Sequence, residues 1–473
     1  MTIDTLLAAR MGLAALGAVL ATGCASIPPP PPPAAALAPT AGQEAGAEAL
    51  DAWWTSFDDP VLVEIVDRAL GESPDARVIA ARLEAADAAR RETLAADRAQ
   101  GALGLQTSRR RTDRVSGDAA LLGAGVTAQA EASLPISWEV DFWGRRAARA
   151  AAASSDLAAD RFSLEAGRAL LAAQTVEIMM EIRAGEARLE EARAQAAIQG
   201  ELVRLARARA ELGLSPRADI APLEATFATT EAIIAGLEAE RDAARRALSG
   251  LLGAGRAPLP DLGALPNAPP KPPVLMEATL LARRPDVREA EARLAAAGQR
   301  QRLASAALLP TIVWAPTAGL SSVLEPGSAV GSFWAMGLSA TLPVLDRPRL
   351  LAALGGETAR RAEALALLER TVQTALAEAD QGFMRLDAET LRAERLRAAE
   401  SAAQRAFEAA RRRYGAGLDD IDPVLAAERA WREARSQALE GRVSRISRTI
   451  DLFKALGGGW SPAAIQTQQG QPT

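Results

Sequence analysis

The chain contains no histidine and a single cysteine, Cys24. Ser-His-Asp and Cys-His catalysis are therefore excluded, as are metal sites built from imidazole or several thiolates. There is no GxGxxG and no GxxxxGK(S/T) to cradle a nucleotide. Carboxylate-only catalysis remains open in principle, but no acidic pair sits in a recognisable cleft-forming context. An enzyme is not expected, and neither is a cofactor. The net charge of -5 is small and both signs are interspersed, so no basic nucleic-acid surface is present. Aromatics reach only 4% although apolar residues reach 49%. Aromatic side chains supply much of core burial, so a thick globular core is not expected. The abundance of Ala and Arg favours long helices instead.

What is present begins with an address. Residues 1–23 read as a signal peptide, with Arg10 as the basic residue and an apolar run from Met11 to Leu20. That run is too short to span a bilayer. It leads into Leu20-Ala21-Thr22-Gly23-Cys24, which resembles the lipobox of bacterial lipoproteins. Small residues let the chain enter the peptidase, and the thiol of Cys24 is the nucleophile that accepts diacylglycerol. Cleavage beside an incidental cysteine is the plainer alternative. Asp4 is atypical of a region where basic charge is expected, and Ala25 replaces the Asp of an inner-membrane retention signal. Residues 24–50 form the lipidated terminus and a spacer, because Pro28 to Pro33 is unbroken proline and favours stiff polyproline II.

The rest of the chain is written twice. Ser73-Pro74-Asp75 followed by Arg82-Leu83 returns as Arg284-Pro285-Asp286 followed by Arg293-Leu294. Gly213-Leu214 returns as Gly417-Leu418, and Leu252-Gly253 as Leu456-Gly457. The domain plan is thus one repeat over residues 51–258, a Pro-rich linker over 259–273, a second repeat over 274–460, and a tail over 461–473.

From Val126 to Phe142 apolar residues occupy every even position: Val, Ala, Ala, Ala, Leu, Ile, Trp, Val and Phe. The odd positions include Gln129, Glu131, Ser133, Glu139 and Asp141. A period of two held this long predicts a strand of ~55 Å with one apolar and one polar face. The counterpart runs through Trp334, Met336, Leu338, Ala340, Leu342 and Val344, with Leu103–Val115 and Thr311–Leu320 as partner strands. The strand pairs accordingly occupy about 103–143 and about 311–346. A half-buried strand in a sandwich is the ordinary alternative, but the length and the charged inner face favour a membrane barrel. Four strands cannot close a barrel, so several protomers must share one.

No proline occurs between Pro135 and Pro216, and Leu157, Leu164, Leu171 and Ile178 recur every seven residues. One continuous helix over Arg145–Leu212 would measure ~100 Å. The pattern repeats in the second half with Leu365, Leu368, Val372, Leu376, Phe383 and Leu386. Such spacing is a coiled-coil seam, and helices of this length form a rod or the wall of a tube.

Several segments together resemble the TolC-like outer-membrane efflux family, specifically its lipoprotein branch. They are Ser137 to Arg145 (SWEVDFWGR), Leu280 to Val287 (LLARRPDV), Leu308-Leu309-Pro310, Arg413 to Gly417 (RYGAG) and Ala455 to Trp460 (ALGGGW). The resemblance spans about residues 50–460. It implies a mixed α and β membrane protein: a trimer whose twelve-strand barrel takes four strands from each protomer, continued by a long α-helical coiled-coil tunnel in the periplasm. It further implies a Gram-negative outer membrane, a periplasmic membrane-fusion adaptor, an inner-membrane RND-type pump, and lipid on Cys24 as the only covalent group.

The resemblance places helix-hairpin turns at Gly213 and Gly417, at periplasmic tips that meet the adaptor and close the entrance. The gate and tip candidates are Gly213, Asp219, Arg413, Tyr414, Gly417, Asp419, Asp420 and Asp422. Threefold symmetry would gather carboxylates into a ring that repels or binds cations; solvated loop acids are the simpler reading. Ala426 stands where the family often has an aspartate, which displaces any gating acid toward Asp422 or Asp219. Leu345-Asp346-Arg347-Pro348-Arg349 replaces the usual aromatic-Asp-Gly-Gly-Arg, so Pro348 alters that strand-to-helix junction. The expected function is a passive efflux duct. A duct for type I protein secretion and a non-conducting envelope tether are the alternatives, and the amphipathic strands argue against the tether.

Overall fold

A computed structural model describes residues 50–112, 125–213, 216–324 and 329–461, all within the unit Pro39–Thr473. Cys24, the signal peptide, the proline spacer and the tail lie outside the described residues. The chain opens with a 3-10 turn, Trp53–Phe57, then helices α1 (Pro60–Glu72) and α2 (Pro74–Ala96). Both are started by a side chain: Asp59 accepts from the Leu62 N–H, and Ser73 from the Ala76 N–H, each ahead of a proline at the first helical position. Strands β1 (Gln100–Gly101), β2 (Gly104–Thr112) and β3 (Gly125–Val140) follow, then α3 (Arg145–Glu211) and α4 (Ile220–Leu251). The second half runs α5 (Glu277–Arg283), α6 (Pro285–Ala306), β4 (Thr311–Val323), β5 (Gly331–Thr341), α7 (Arg347–Gly415) and α8 (Asp422–Ala455).

All strand pairs are antiparallel, in the order β2, β3, β4, β5. β1 continues the line and register of β2 on the same side of β3. The ladder lapses between them, opposite Pro135, which has no N–H to donate. The central pairing, β3 with β4, joins the two repeats. Facing residues share a face, so Trp138, Trp314 and Leu338 form one row and Leu134, Ala318 and Trp334 another. The even-numbered face of β3 is therefore the apolar face of the whole sheet. Large apolar side chains on it remain exposed: Trp334 at 75%, Leu338 at 72% and Met336 at 66%. Among the described residues no core covers them, as expected of a face made for lipid.

Two strand ends differ from the periodicity reading. β3 stops at Val140, because Asp141 turns to cap α3 and accepts from the N–H groups of Arg145 and Arg146 at 2.8 and 3.0 Å. Phe142 consequently lies beyond the strand. β5 stops at Thr341, before Pro343, so Leu342 and Val344 are not in it. β4, at 13 residues, is the longer strand of the second pair. Pro348 sits in the first turn of α7, where a missing N–H costs nothing. Its junction lacks the left-handed Gly144 (φ 73°) that enters α3.

α3 and α7 are single helices of 67 and 69 residues. α3 packs on α4 and α6, and α7 on α8 and α6. One aromatic cluster forms where the 3-10 turn Trp53–Phe57 meets the end of α8. Trp53 stacks on Phe453 at 5.1 Å between centroids, with Trp54 edge-on at 5.9 Å. Beneath them Arg183, with a side chain 1% exposed, ion-pairs with Asp59 and donates from Nε to the Leu262 carbonyl at 2.6 Å.

Candidate functional site

The two hairpin turns are built by one local device. α7 ends at Gly415, and Gly417 adopts φ 75°. The Gly417 N–H then reaches the Tyr414 carbonyl at 2.9 Å, and the Leu418 N–H reaches the Arg413 carbonyl at 3.0 Å. These are the two bonds of a Schellman cap, and the left-handed residue is glycine because a Cβ would be strained there. Gly213 closes α3 with φ 73°, its N–H on the Ala210 carbonyl at 3.2 Å. Residues 214 and 215 lie outside the described residues, and the chain resumes in a 3-10 turn, Arg217–Asp219, leading into α4. Gly253 and Gly457 carry the same cap at the far ends of the hairpins, with φ 68° and 70°. The equal spacing of glycines in the two repeats is thus the spacing of helix ends.

A second hydrophobic cluster locks the hairpins together near these turns. It comprises Leu202, Val203, Ala206, Leu223, Phe407, Tyr414, Ile421, Val424 and Trp431. Phe407 stacks on Trp431 at 5.1 Å. Tyr414 is 2% exposed, with the Arg209 guanidinium 4.6 Å over its ring and Arg209 Nη1 donating to its carbonyl at 3.1 Å. Burial pushes the Tyr414 phenol above its ordinary value; Arg209 works against the rise and the Asp219 carboxylate adds to it. Arg209 of the first hairpin therefore clamps Tyr414 of the second.

The acidic candidates occupy distinct positions. Asp419 is gripped by Arg413, Nε to Oδ2 at 2.6 Å and Nη2 to Oδ1 at 2.8 Å. This bidentate bond lowers the Asp419 pKa and raises that of Arg413. The charge of Asp419 is matched inside its own protomer, which sets it apart from the other three acids. Asp420 and Asp422 are exposed, and Asp422 opens α8, where the helix N-terminus favours an anion. Asp219 is half-buried, and its carboxylate is near enough to Tyr414 to raise the phenol pKa.

Sequence reasoning missed Arg209 and a buried acid, Glu428. Glu428 is 2% exposed and accepts from the side-chain amides of Gln195 and of Gln199, the latter at 3.1 Å. Its apolar neighbours Val424, Leu425 and Trp431 were the only available signal. No group of three or more His, Cys, Asp or Glu that could hold a metal occurs among the described residues.

A sheet that no other described element covers, two helices of 67 and 69 residues each turned back into a hairpin, and glycine-capped tips define an outer-membrane channel protomer. The chain belongs to the outer membrane efflux protein family, whose sequence profile matches residues 65–254 and 278–458. It is 28% identical over 436 residues to the pyoverdine export outer membrane protein OpmQ of Pseudomonas putida, covering 90% of this chain and 93% of that one. To the toluene efflux pump outer membrane protein TtgF of Pseudomonas putida it is 29% identical over 439 residues, covering 90% of each. Its structure superposes on the outer-membrane channel OprN with a TM-score of 0.79 at 27% identity, covering 87% and 93% of the two chains. The fold is that of the trimeric, twelve-strand channels continued by a helical tunnel, and the chain is an outer-membrane efflux channel that extends into the periplasm.

Proposed function

We propose that the chain works as a lipid-anchored homotrimer that passively conducts small molecules, received from a periplasmic membrane-fusion adaptor and an inner-membrane RND-type pump. The observation that carries the trimer is the pair of sheet edges. β2 and β5 each have a strand on one side only among the described residues, and an open edge is not stable in lipid. Pairing β2 of one protomer with β5 of the next satisfies both. The small-molecule reading is supported by relatives named for pyoverdine export and toluene efflux. The lone Cys24 in its lipobox supports the anchor. The tips around Gly213 and Gly417 meet the adaptor, and Asp219, Asp420 and Asp422 supply the carboxylates of the entrance, with Tyr414 and Arg209 holding the hairpins closed.

Light scattering of detergent-extracted protein should give three copies; a monodisperse monomer without detergent would end this reading. Deletion of the gene should sensitise cells to a panel of small toxic compounds, and the adaptor should co-purify with the wild-type trimer. Intact mass should begin at Cys24 with acyl chains attached.

A further inference from the structure

The duplicated plan contains its own comparison. With Ser73-Pro74-Asp75 aligned on Arg284-Pro285-Asp286, Arg77 falls on Arg288 and Ala80 on Glu291. In the second repeat the cation is satisfied. Arg288 Nη1 pairs with Glu291 Oε2 at 2.7 Å, and its guanidinium carbon lies 5.5 Å from the centroid of the Phe162 ring. In the first repeat the acid is gone. Ala80 stands in its place on α2, and the exposed Arg77 makes no hydrogen bond or ion pair among the described residues.

The missing acid leaves a groove. Asp67, Leu70 and Gly71 at the end of α1, Ala76, Arg77 and Ala80 on α2, and Arg168 on α3 border about 450 Å³. That volume lies within the ~300–1,000 Å³ of small-molecule sites. α2 approaches α3 closely here: a Cβ on Gly167 would come within 3.1 Å of Ile79 Cδ1, so the glycine lets Arg168 stand beside α2. Arg168 likewise has no hydrogen bond or ion pair among the described residues. It acts only through space on Glu165, one turn back, whose carboxyl burial pushes up. Two guanidinium groups thus border one concave surface, together with the carboxylate of Asp67 and a floor of small and apolar residues.

We propose that this groove binds a short periplasmic peptide with free carboxylates, a free amine and alanine side chains, the chemistry of the cell-wall stem peptide. A guanidinium presents paired N–H donors that match the two oxygens of a carboxylate, and Arg77 and Arg168 each take one. Asp67 answers the amine. The floor of Gly71, Ala76 and Ala80 leaves room for methyl-sized side chains, with Leu70 as their apolar contact. The groove lies on helices, and the helical part of the channel extends into the periplasm, where the wall polymer is found. Its occupation ties the channel to the wall once per protomer. The inference rests on the periplasmic placement of the helices and is independent of what the channel carries.

The test is calorimetric titration of the intact full-length protein in detergent with synthetic L-Ala-γ-D-Glu-meso-diaminopimelate. Wild type should bind one peptide per protomer, and R77Q/R168Q should bind at least about tenfold more weakly. A80E restores to the first repeat the acid that Glu291 supplies in the second. It changes one exposed helical residue and should cause a similar loss, because the new carboxylate satisfies Arg77 from within. A further measurement needs no variant: the same peptide with its carboxylates amidated should bind wild type at least about tenfold more weakly. Equal binding of the two peptides to wild type overturns the proposal. So does wild-type affinity in A80E, or displacement of the peptide by an equal concentration of inorganic phosphate, which would mark a general anion site.

Discussion

The ring of Phe333 lies directly against Gly319. A Cβ added to Gly319 would come within 2.7 Å of Phe333 Cζ and 2.5 Å of the Ala132 carbonyl oxygen. The two residues face one another across β4 and β5 on the lumen-directed face, and Gly319 also faces Ser133 of β3. The aromatic ring covers a glycine that the third strand needs for its close approach.

Gly319→Val should therefore destabilise the sheet by about 1–3 kcal/mol, the usual result of overpacking. The check is the temperature at which the trimer dissociates in denaturing electrophoresis. A double variant, Gly319→Val with Phe333→Ala, should recover part of the loss, because the ring clash is then relieved and only the carbonyl contact remains.

The two faces of the sheet should differ sharply in their tolerance of charge. Leu134→Arg and Leu338→Arg lie on the apolar face and should each cost ~2–4 kcal/mol, enough to block assembly. Gln129→Arg and Ser339→Arg lie on the other face and should assemble normally. Recovery of trimers from outer-membrane extracts distinguishes the pairs.

Asp59 and Arg183 should make the helical part acid-sensitive. Burial alone would raise the Asp59 pKa, but the bond from Arg183 and the backbone N–H of Leu62 hold it below its ordinary value of 3.8. A depressed carboxylate stabilises the fold fully above its unfolded value and loses that contribution as pH falls through the folded one. Thermal unfolding of wild type should thus fall steeply below about pH 4. Asp59→Asn should flatten that dependence and, by leaving Arg183 buried without its anion, cost ~3–5 kcal/mol at neutral pH.

At the tips, the acids should separate by their partners. Asp422→Ala and Asp420→Ala should raise single-channel conductance in a planar bilayer and weaken block by divalent cations. Asp419→Ala should act differently, releasing Arg413 and adding positive charge at the turn, which lowers rather than raises cation conductance. Equal behaviour of all three would show that the entrance is controlled by helix packing alone.

What the amino-acid sequence determined by itself was everything set by neighbours a few residues apart. The alternation from Val126 produced β3, the proline-free stretch produced α3, and Gly213 and Gly417 produced the helix ends, since a left-handed cap needs only a glycine and the last turn before it. The repeated spacing of those glycines carried the duplication of the whole plan. Tertiary structure decided which distant groups meet. Asp59 lies 124 residues from Arg183, Arg209 lies 205 residues from Tyr414, and Glu428 lies 233 residues from Gln195. Nothing in the local pattern marks an arginine as buried or an acid as amide-bound, because a partner that satisfies a buried charge is supplied by packing and not by the adjoining chain. The same holds for the union of the repeats. Either strand pair could have stood alone by its alternation, but only the register of β3 against β4 makes one sheet of them and leaves β2 and β5 as the edges a neighbour must complete.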